Sequence, residues 1–177
     1  MGVKKNLFAL FGGSFDPVHK GHLKIALTSI KKLKLDKLYW SITKKNPFKN
    51  KTHFSLRDRI QKCKKIVRNN KKIKVQFLEN KAKSSRTVDV LNYLVKKNRK
   101  SNFYLIVGSD NLLDFHKWKK WKKILKMSKL VVFSRKGFDL KSKKSVIVKY
   151  LGQNKILYIK NSKVDISSSK IRKNYLR

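Results

Sequence analysis

The stretch Leu7-Phe8-Ala9-Leu10-Phe11-Gly12-Gly13-Ser14-Phe15-Asp16-Pro17-Val18-His19-Lys20-Gly21-His22 decides the fold of this chain. Its opening run, Leu7 to Phe11, is wholly apolar and is ended by two glycines. That suits a central parallel strand, because helices cover such a strand on both faces. Asp16-Pro17 reads as a turn. From His22 the spacing becomes helical: Leu23, Ala26, Leu27, Ile30 and Leu33 share one face, with Lys24, Lys31 and Lys34 opposite.

The alternation continues outward. Leu38 to Thr43 is predicted as a second strand, Lys44 to Ser55 as a polar loop and Leu56 to Val67 as a helix. Ile73 to Leu78 is a third strand, Thr87 to Val95 a helix, and Phe103 to Val107 a fourth strand ending in Gly108. Trp118 to Met127 reads as a helix and Leu130 to Phe133 as a fifth strand. Val146 to Leu151 and Ile156 to Ile159 read as short strands, and Ser167 to Leu176 as a closing helix. The expected fold is α/β, a Rossmann-like doubly wound, mostly parallel sheet of about five to six strands with helices on both faces. Ligands of such sheets lie beyond the carboxyl ends of the strands. With no repeat, linker or charge discontinuity, residues 1–177 are expected to form a single domain.

At 177 residues, folding can remove roughly 70% of the unfolded chain's surface from water, so a core forms without staples. The single Cys63 excludes an internal disulfide framework and a thiolate zinc cluster, and is expected as a small buried hydrophobe. The basic start, Met1 to Asn6, precedes an apolar run too short for a signal sequence. No apolar run approaches the roughly 18 residues of a membrane span. A cytoplasmic protein without a membrane partner is expected.

The formal net charge of +39 arises from 48 Lys and Arg against nine Asp and Glu. It favours anionic ligands, and nucleic acid is one reading of it. The excess is nearly all Lys, spread from end to end, in a chain also rich in Asn and Ile; all three have A- and T-rich codons. Nucleic-acid modules concentrate charge on one face and add Arg and exposed aromatics. A Lys-rich solvated surface around an ordinary enzyme is preferred, with no specific nucleic-acid partner.

Gly12 and Gly13, lacking Cβ atoms, let backbone N–H groups approach an anion closely. His19 and His22, three apart at a helix start, project from one side, and Gly21 between them leaves room for a ligand. The helix's first turn adds N–H donors and a positive dipole end. Zinc fits poorly, because no Cys, Asp or Glu stands at ligand spacing. Ser14 fits poorly as a nucleophile, because no carboxylate orients a base for it. Neither the Gly-rich ATP loop ending in Gly-Lys-Ser/Thr nor the dinucleotide fingerprint is present. These residues suit phosphate recognition, with catalysis by positioning and charge stabilisation.

Gly12-Gly13-Ser14-Phe15-Asp16-Pro17-x-His19-x-Gly21-His22 resembles the signature of the bacterial nicotinate (nicotinamide) mononucleotide adenylyltransferases, in the cytidylyltransferase-like superfamily. Ile166-Ser167-Ser168-Ser169-Lys170-Ile171-Arg172 resembles that superfamily's second signature, with Ser169 keeping the hydroxyl of the usual Thr or Ser. The resemblance implies adenylyl transfer from ATP, carrying Mg²⁺ on its phosphates, to nicotinate mononucleotide, giving deamido-NAD and pyrophosphate in NAD biosynthesis. It implies that His19 and His22 contact the ATP phosphates and that His22 stabilises the α-phosphate during in-line attack. His22, His19 and Arg172 are the implied catalytic residues. Gly12, Gly13, Ser14, Phe15, Gly108, Asp110, Arg135, Ile166, Ser167, Ser168 and Ser169 are the further implied ATP contacts, with no protein metal ligands. On its own terms the closing segment is a helix that Ser167 or Ser168 can cap, with amides and Arg172 available to phosphates.

Relatives in the superfamily use other phosphorylated acceptors, so the acceptor rests on other residues. Gly108-Ser109-Asp110 followed by Trp118 resembles the Gly-x-Asp…Trp segment of the nicotinate enzymes; Asp110 would meet the adenosine ribose and Trp118 would stack on the pyridine ring. Asn46-Pro47-Phe48-Lys49 stands where the family has Pro-Pro-His-Lys, with Phe48 for His, and Lys44 and Lys49 are candidates to neutralise the mononucleotide phosphate. Ser84-Ser85-Arg86-Thr87 matches the family's Ser-Tyr-Thr turn, which contacts the nicotinate carboxylate, with Thr87 expected as N-cap. Arg86, replacing Tyr, suits a carboxylate better than an amide. Arg135 is a candidate for the adenine pocket. The alternatives are transfer to nicotinamide mononucleotide or phosphopantetheine, or a basic nucleic-acid-binding protein on this fold.

Overall fold

The computed structural model describes residues 5–44, 52–68, 70–160 and 168–175. Along the chain run β1 (Asn6–Gly13), α1 (Lys20–Leu33), β2 (Lys37–Ile42), α2 (Leu56–Val67), β3 (Ile73–Gln76), α3 (Leu78–Ala82) and α4 (Thr87–Lys97). There follow β4 (Ser101–Gly108), α5 (Ser109–Asp114), α6 (Trp121–Met127), β5 (Lys129–Phe133), α7 (Asp139–Lys143), α8 (Val146–Leu151), β6 (Ile156–Ile159) and α9 (Ser168–Tyr175). The strands form one sheet in the order β3-β2-β1-β4-β5-β6, with every neighbouring pair parallel. The chain winds outward from β1 to β3, then returns to lay β4 on the other side of β1. That reversal places the ligand crevice beyond β1 and β4.

The apolar runs follow from burial on both faces. Phe8 and Leu10 enter one core with Leu91 and Leu94 of α4, Ile124 of α6 and Ile147 of α8. Ala9 and Phe11 point the other way, into a second core with Ala26 of α1 and Cys63 and Val67 of α2. Each fully buried side chain of Leu or Phe size contributes roughly 1.5–3 kcal/mol relative to exposure. Burial pushes the Cys63 thiol up to about 12, as suits the inert core residue expected of it.

Three expectations are corrected. Val146–Leu151 is a helix, α8. Its β-branched residues favour a strand, but Ile147 and Val148 are buried against the α4 and α6 side, and such packing overrides propensity in so short a segment. Trp118 lies before α6, at the end of a 3₁₀ turn over Phe115–Lys117, its backbone extended at φ −71, ψ 137. On α1, Leu27 is 42% exposed rather than packed with Ala26 and Leu33.

Candidate active site

β1 continues through both glycines, and Gly13 C=O accepts the Thr43 N–H at 2.9 Å, tying this loop to the end of β2. A Cβ at Gly12 would meet nothing within 4 Å, whereas one at Gly13 would lie 3.2 Å from the Phe15 ring. Phe15 itself has φ 47, a left-handed conformation that costs a non-glycine residue roughly 1–2 kcal/mol. Burial of its ring offsets that cost: it packs on Phe11 (5.3 Å), Trp40 (5.0 Å) and His22 (5.0 Å between centroids). The Phe15 side chain is thus the floor beneath His22.

His19 is the N-cap of α1 and His22 its third residue. The His19 backbone N–H donates to His22 Nδ1 at 3.3 Å, and the two rings lie 3.8 Å apart at 31°. An accepting Nδ1 leaves Nε2 as the donor of the His22 ring. The His19 imidazole is pushed down to about 4, chiefly by burial and secondarily by the Arg135 guanidinium. It is therefore neutral near pH 7.

Across the crevice, α5 starts directly after Gly108. Arg135 Nη1 donates to Asp110 Oδ2 at 2.8 Å. A Cβ on Gly108 would collide with the Asp110 carboxylate and stand 3.0 Å from Arg135 Nε, so this glycine makes room for the pair. The Arg135 N–H donates to Ser109 Oγ (2.9 Å) and Asp139 Oδ1 (3.0 Å), and Ser134 Oγ donates to Asp139 Oδ2 (2.6 Å). Burial alone would raise the Asp139 carboxyl; bonds from Ser134, Ser109 and the Arg135 N–H outweigh it and hold the group below the usual carboxylate range.

α9 closes the site from the far end of the chain. Ser168 Oγ donates to Pro17 C=O at 3.0 Å, and Arg172 donates to Asp16 C=O (2.6 Å) and Ser169 Oγ (3.0 Å). The two sequence signatures therefore meet at the Asp16-Pro17 turn. Ile166, Ser167 and Lys49, with Phe48, lie outside the described residues.

Of the residues expected to meet the acceptor, Lys44 follows the end of β2. The N-cap of α4 is Arg86, not Thr87: Ser84 Oγ accepts the Arg86 N–H and donates to Asp89, fixing the turn one residue earlier. Thr87 is the first helical residue. Trp118 stacks on Phe115 at 4.8 Å and 27°, which covers one face of the indole.

Sequence reasoning missed Arg59, Glu79 and Asp139, and took Asp16 only as a turn residue. Asp16 is 4% exposed and accepts the backbone N–H groups of His53 (2.8 Å) and Phe54 (2.9 Å). One signal was available: with nine acidic residues against 48 basic ones, each carboxylate is scarce, and three of these four residues are acids.

An all-parallel Rossmann-like sheet, with a histidine pair on the first helix and a Ser/Arg helix docked beside it, defines a nucleotidyltransferase of the cytidylyltransferase-like class. That family's model matches residues 10–174, and the chain belongs to it. Among curated relatives, the probable nicotinate-nucleotide adenylyltransferase of Pelagibacter ubique (strain HTCC1062) is 48% identical over 170 residues, 96% of this chain and 94% of the relative. The protein of the same name from Rhizobium meliloti (strain 1021) is 40% identical over 132 residues, 74% of this chain and 70% of the relative. Within the class, the chain is thus a member of the nicotinate-nucleotide adenylyltransferase family. The fold is shared with the Plasmodium falciparum nicotinic acid mononucleotide adenylyltransferase complexed with NaAD (TM-score 0.74, 24% identity, 95% of this chain and 83% of that one).

Proposed function

We propose that this chain transfers the adenylyl group of ATP to nicotinate mononucleotide, releasing pyrophosphate and forming deamido-NAD, in the cytoplasm. The observation that carries the reading is the convergence of His19, His22 and α9 on one crevice beyond β1 and β4. An oxygen of the acceptor phosphate attacks the α-phosphorus in line; as that P–O bond forms, the bond to the bridging oxygen breaks and its electron pair leaves with pyrophosphate. His22, holding its proton on Nε2, donates to the α-phosphate oxygen where charge builds up. Uncharged His19 contributes donors and shape at the same phosphates. The α9 amides, Ser168, Ser169 and Arg172 take the β- and γ-phosphates, with Gly12, Gly13 and Ser14 lining the near side. Asp110 and Arg135 flank the adenosine, and Lys44, Lys49, Arg86, Thr87 and Trp118 form the acceptor side.

Mg²⁺ enters with ATP, on its phosphate tail. Among the described residues no group of three or more His, Cys, Asp or Glu side chains comes together to hold a metal ion. Among the same residues no helix is long and apolar enough to cross a membrane. The relatives' names support nicotinate as the acceptor's base. Pyrophosphate release from Mg-ATP, measured with nicotinate mononucleotide, nicotinamide mononucleotide and phosphopantetheine, tests the reading. Nicotinate mononucleotide should react fastest; no release with any acceptor refutes the enzyme assignment.

A further inference from the structure

Arg59 of α2 is 1% exposed, yet among the described residues its hydrogen bonds all go to backbone carbonyls of the loops around the crevice. Its Nη1 donates to Ser14 C=O (2.8 Å) and Thr43 C=O (2.7 Å), its Nη2 to Lys44 C=O (2.9 Å) and its Nε to Phe54 C=O (3.2 Å). Glu79 of α3, 7% exposed, accepts the Lys44 N–H on Oε2 at 3.0 Å. The backbone of Lys44 is therefore gripped from both sides, its N–H by a buried acid and its C=O by a buried base. A buried charge is a poor way to gain stability, since apolar side chains of similar volume serve as well or better. What a guanidinium supplies, and an apolar chain or an ammonium cannot, is a rigid fork that fixes several carbonyls at set angles and spacings. The segments it joins are the end of the β1 loop at Ser14 and the exit of β2 at Thr43–Lys44.

We infer that Arg59 and Glu79 are positioning residues that lock the Lys44 backbone against the Ser14 peptide, and so set how far the acceptor's phosphate stands from the ATP phosphates. The inference rests on the reading in which Lys44 neutralises the acceptor phosphate. In-line attack is sensitive to such spacing, a misplacement of about 1 Å costing as much as ~10²-fold in rate. Among the described residues the hydrogen bond that the Glu79 side chain accepts comes from Lys44, whereas Arg59 bonds Lys44 and Ser14 together, so the two residues have separable signatures.

The full-length Glu79→Ala, Glu79→Gln and Arg59→Lys variants test this by two-substrate kinetics and residue-resolved amide hydrogen exchange. In Glu79→Ala, exchange at the Lys44 amide should quicken by about tenfold or more, with KM for nicotinate mononucleotide rising about tenfold. KM for ATP and kcat should stay within about threefold, whereas loss of stability alone would lower the active fraction without splitting the two KM values. Glu79→Gln keeps an accepting carbonyl and should restore both readouts. Arg59→Lys should raise both KM values and lower kcat. Unchanged Lys44 exchange in Glu79→Ala overturns the inference, as does an equal rise in both KM values. If the wild type proves to use another phosphorylated acceptor, the acceptor assignment fails while the same KM split, measured with that acceptor, still judges the positioning. If no acceptor reacts, exchange at Lys44 decides alone.

Discussion

The loops after β1 and β2 leave the sheet at its carboxyl end, from neighbouring strands; both are clasped by distant side chains, but they present their own side chains differently. The first presents its chemistry in side chains at short range: the backbone-to-ring bond joining His19 and His22 spans three residues. The second is held at its two ends by side chains from far away. Arg59 reaches Lys44 from 15 residues on, Glu79 reaches it from 35, and Asp16 grips Phe54 across 38. Replacing a histidine on one helical turn takes its largest toll on chemistry. A buried charge clasping backbone cannot be removed without leaving desolvated groups unsatisfied.

His22→Ala should give the largest effect. Loss of one preorganised donor at the developing charge lowers kcat by about 10²–10³, while thermal stability and measurable ATP binding persist. A His22→Ala enzyme with near-normal turnover would break the contrast at its catalytic end. Asp16→Ala should show the opposite profile. Freeing the His53 and Phe54 N–H groups should cost about 2–3 kcal/mol in urea unfolding, with turnover per folded molecule falling less than in His22→Ala; a stability within ~0.5 kcal/mol of wild type would mean the clasp is not structural. Gly108→Ala pushes a methyl against Asp110 and Arg135, whose side chains can swing aside. KM for ATP should rise about tenfold, equivalent to ~1.4 kcal/mol, with little change in the acceptor's KM.

Near neutral pH the smallest effect belongs to His19, which acts through pH dependence. His19 sits at about 4 in the fold against an ordinary 6.5, so between these values the unfolded chain binds a proton that the native one does not. Stability is therefore lost as pH falls from 6.5 toward 4. His19→Gln should flatten that part of the profile in urea titrations at stepped pH. An unaltered slope would show that other groups carry it.

Legibility divided along the same line. The strands β1, β4 and β5 could be read because burial on both faces demands unbroken apolar runs, β2 from its apolar and aromatic residues, and α2 spans the Leu56–Val67 read from the sequence, with the Ser55 hydroxyl accepting the Asp58 N–H. Both signatures could be read, since each lies within a short stretch of chain. Arg59 could not, because a lone arginine in a Lys- and Arg-rich helix looks like one more solvated charge. Only packing shows that its guanidinium turns inward onto four carbonyls.

Sequence alone thus determined the alternating α/β order, the histidine pair at the start of α1 and the family, because period and close spacing are written residue by residue. The tertiary structure decided that Val146–Leu151 coils rather than extends and that Trp118 rests on Phe115. It also decided that α9 docks on Asp16-Pro17, and that Asp16, Arg59 and Glu79 are interior clasps. Those outcomes depend on which distant surfaces compete to bury each group, and no local pattern encodes that competition.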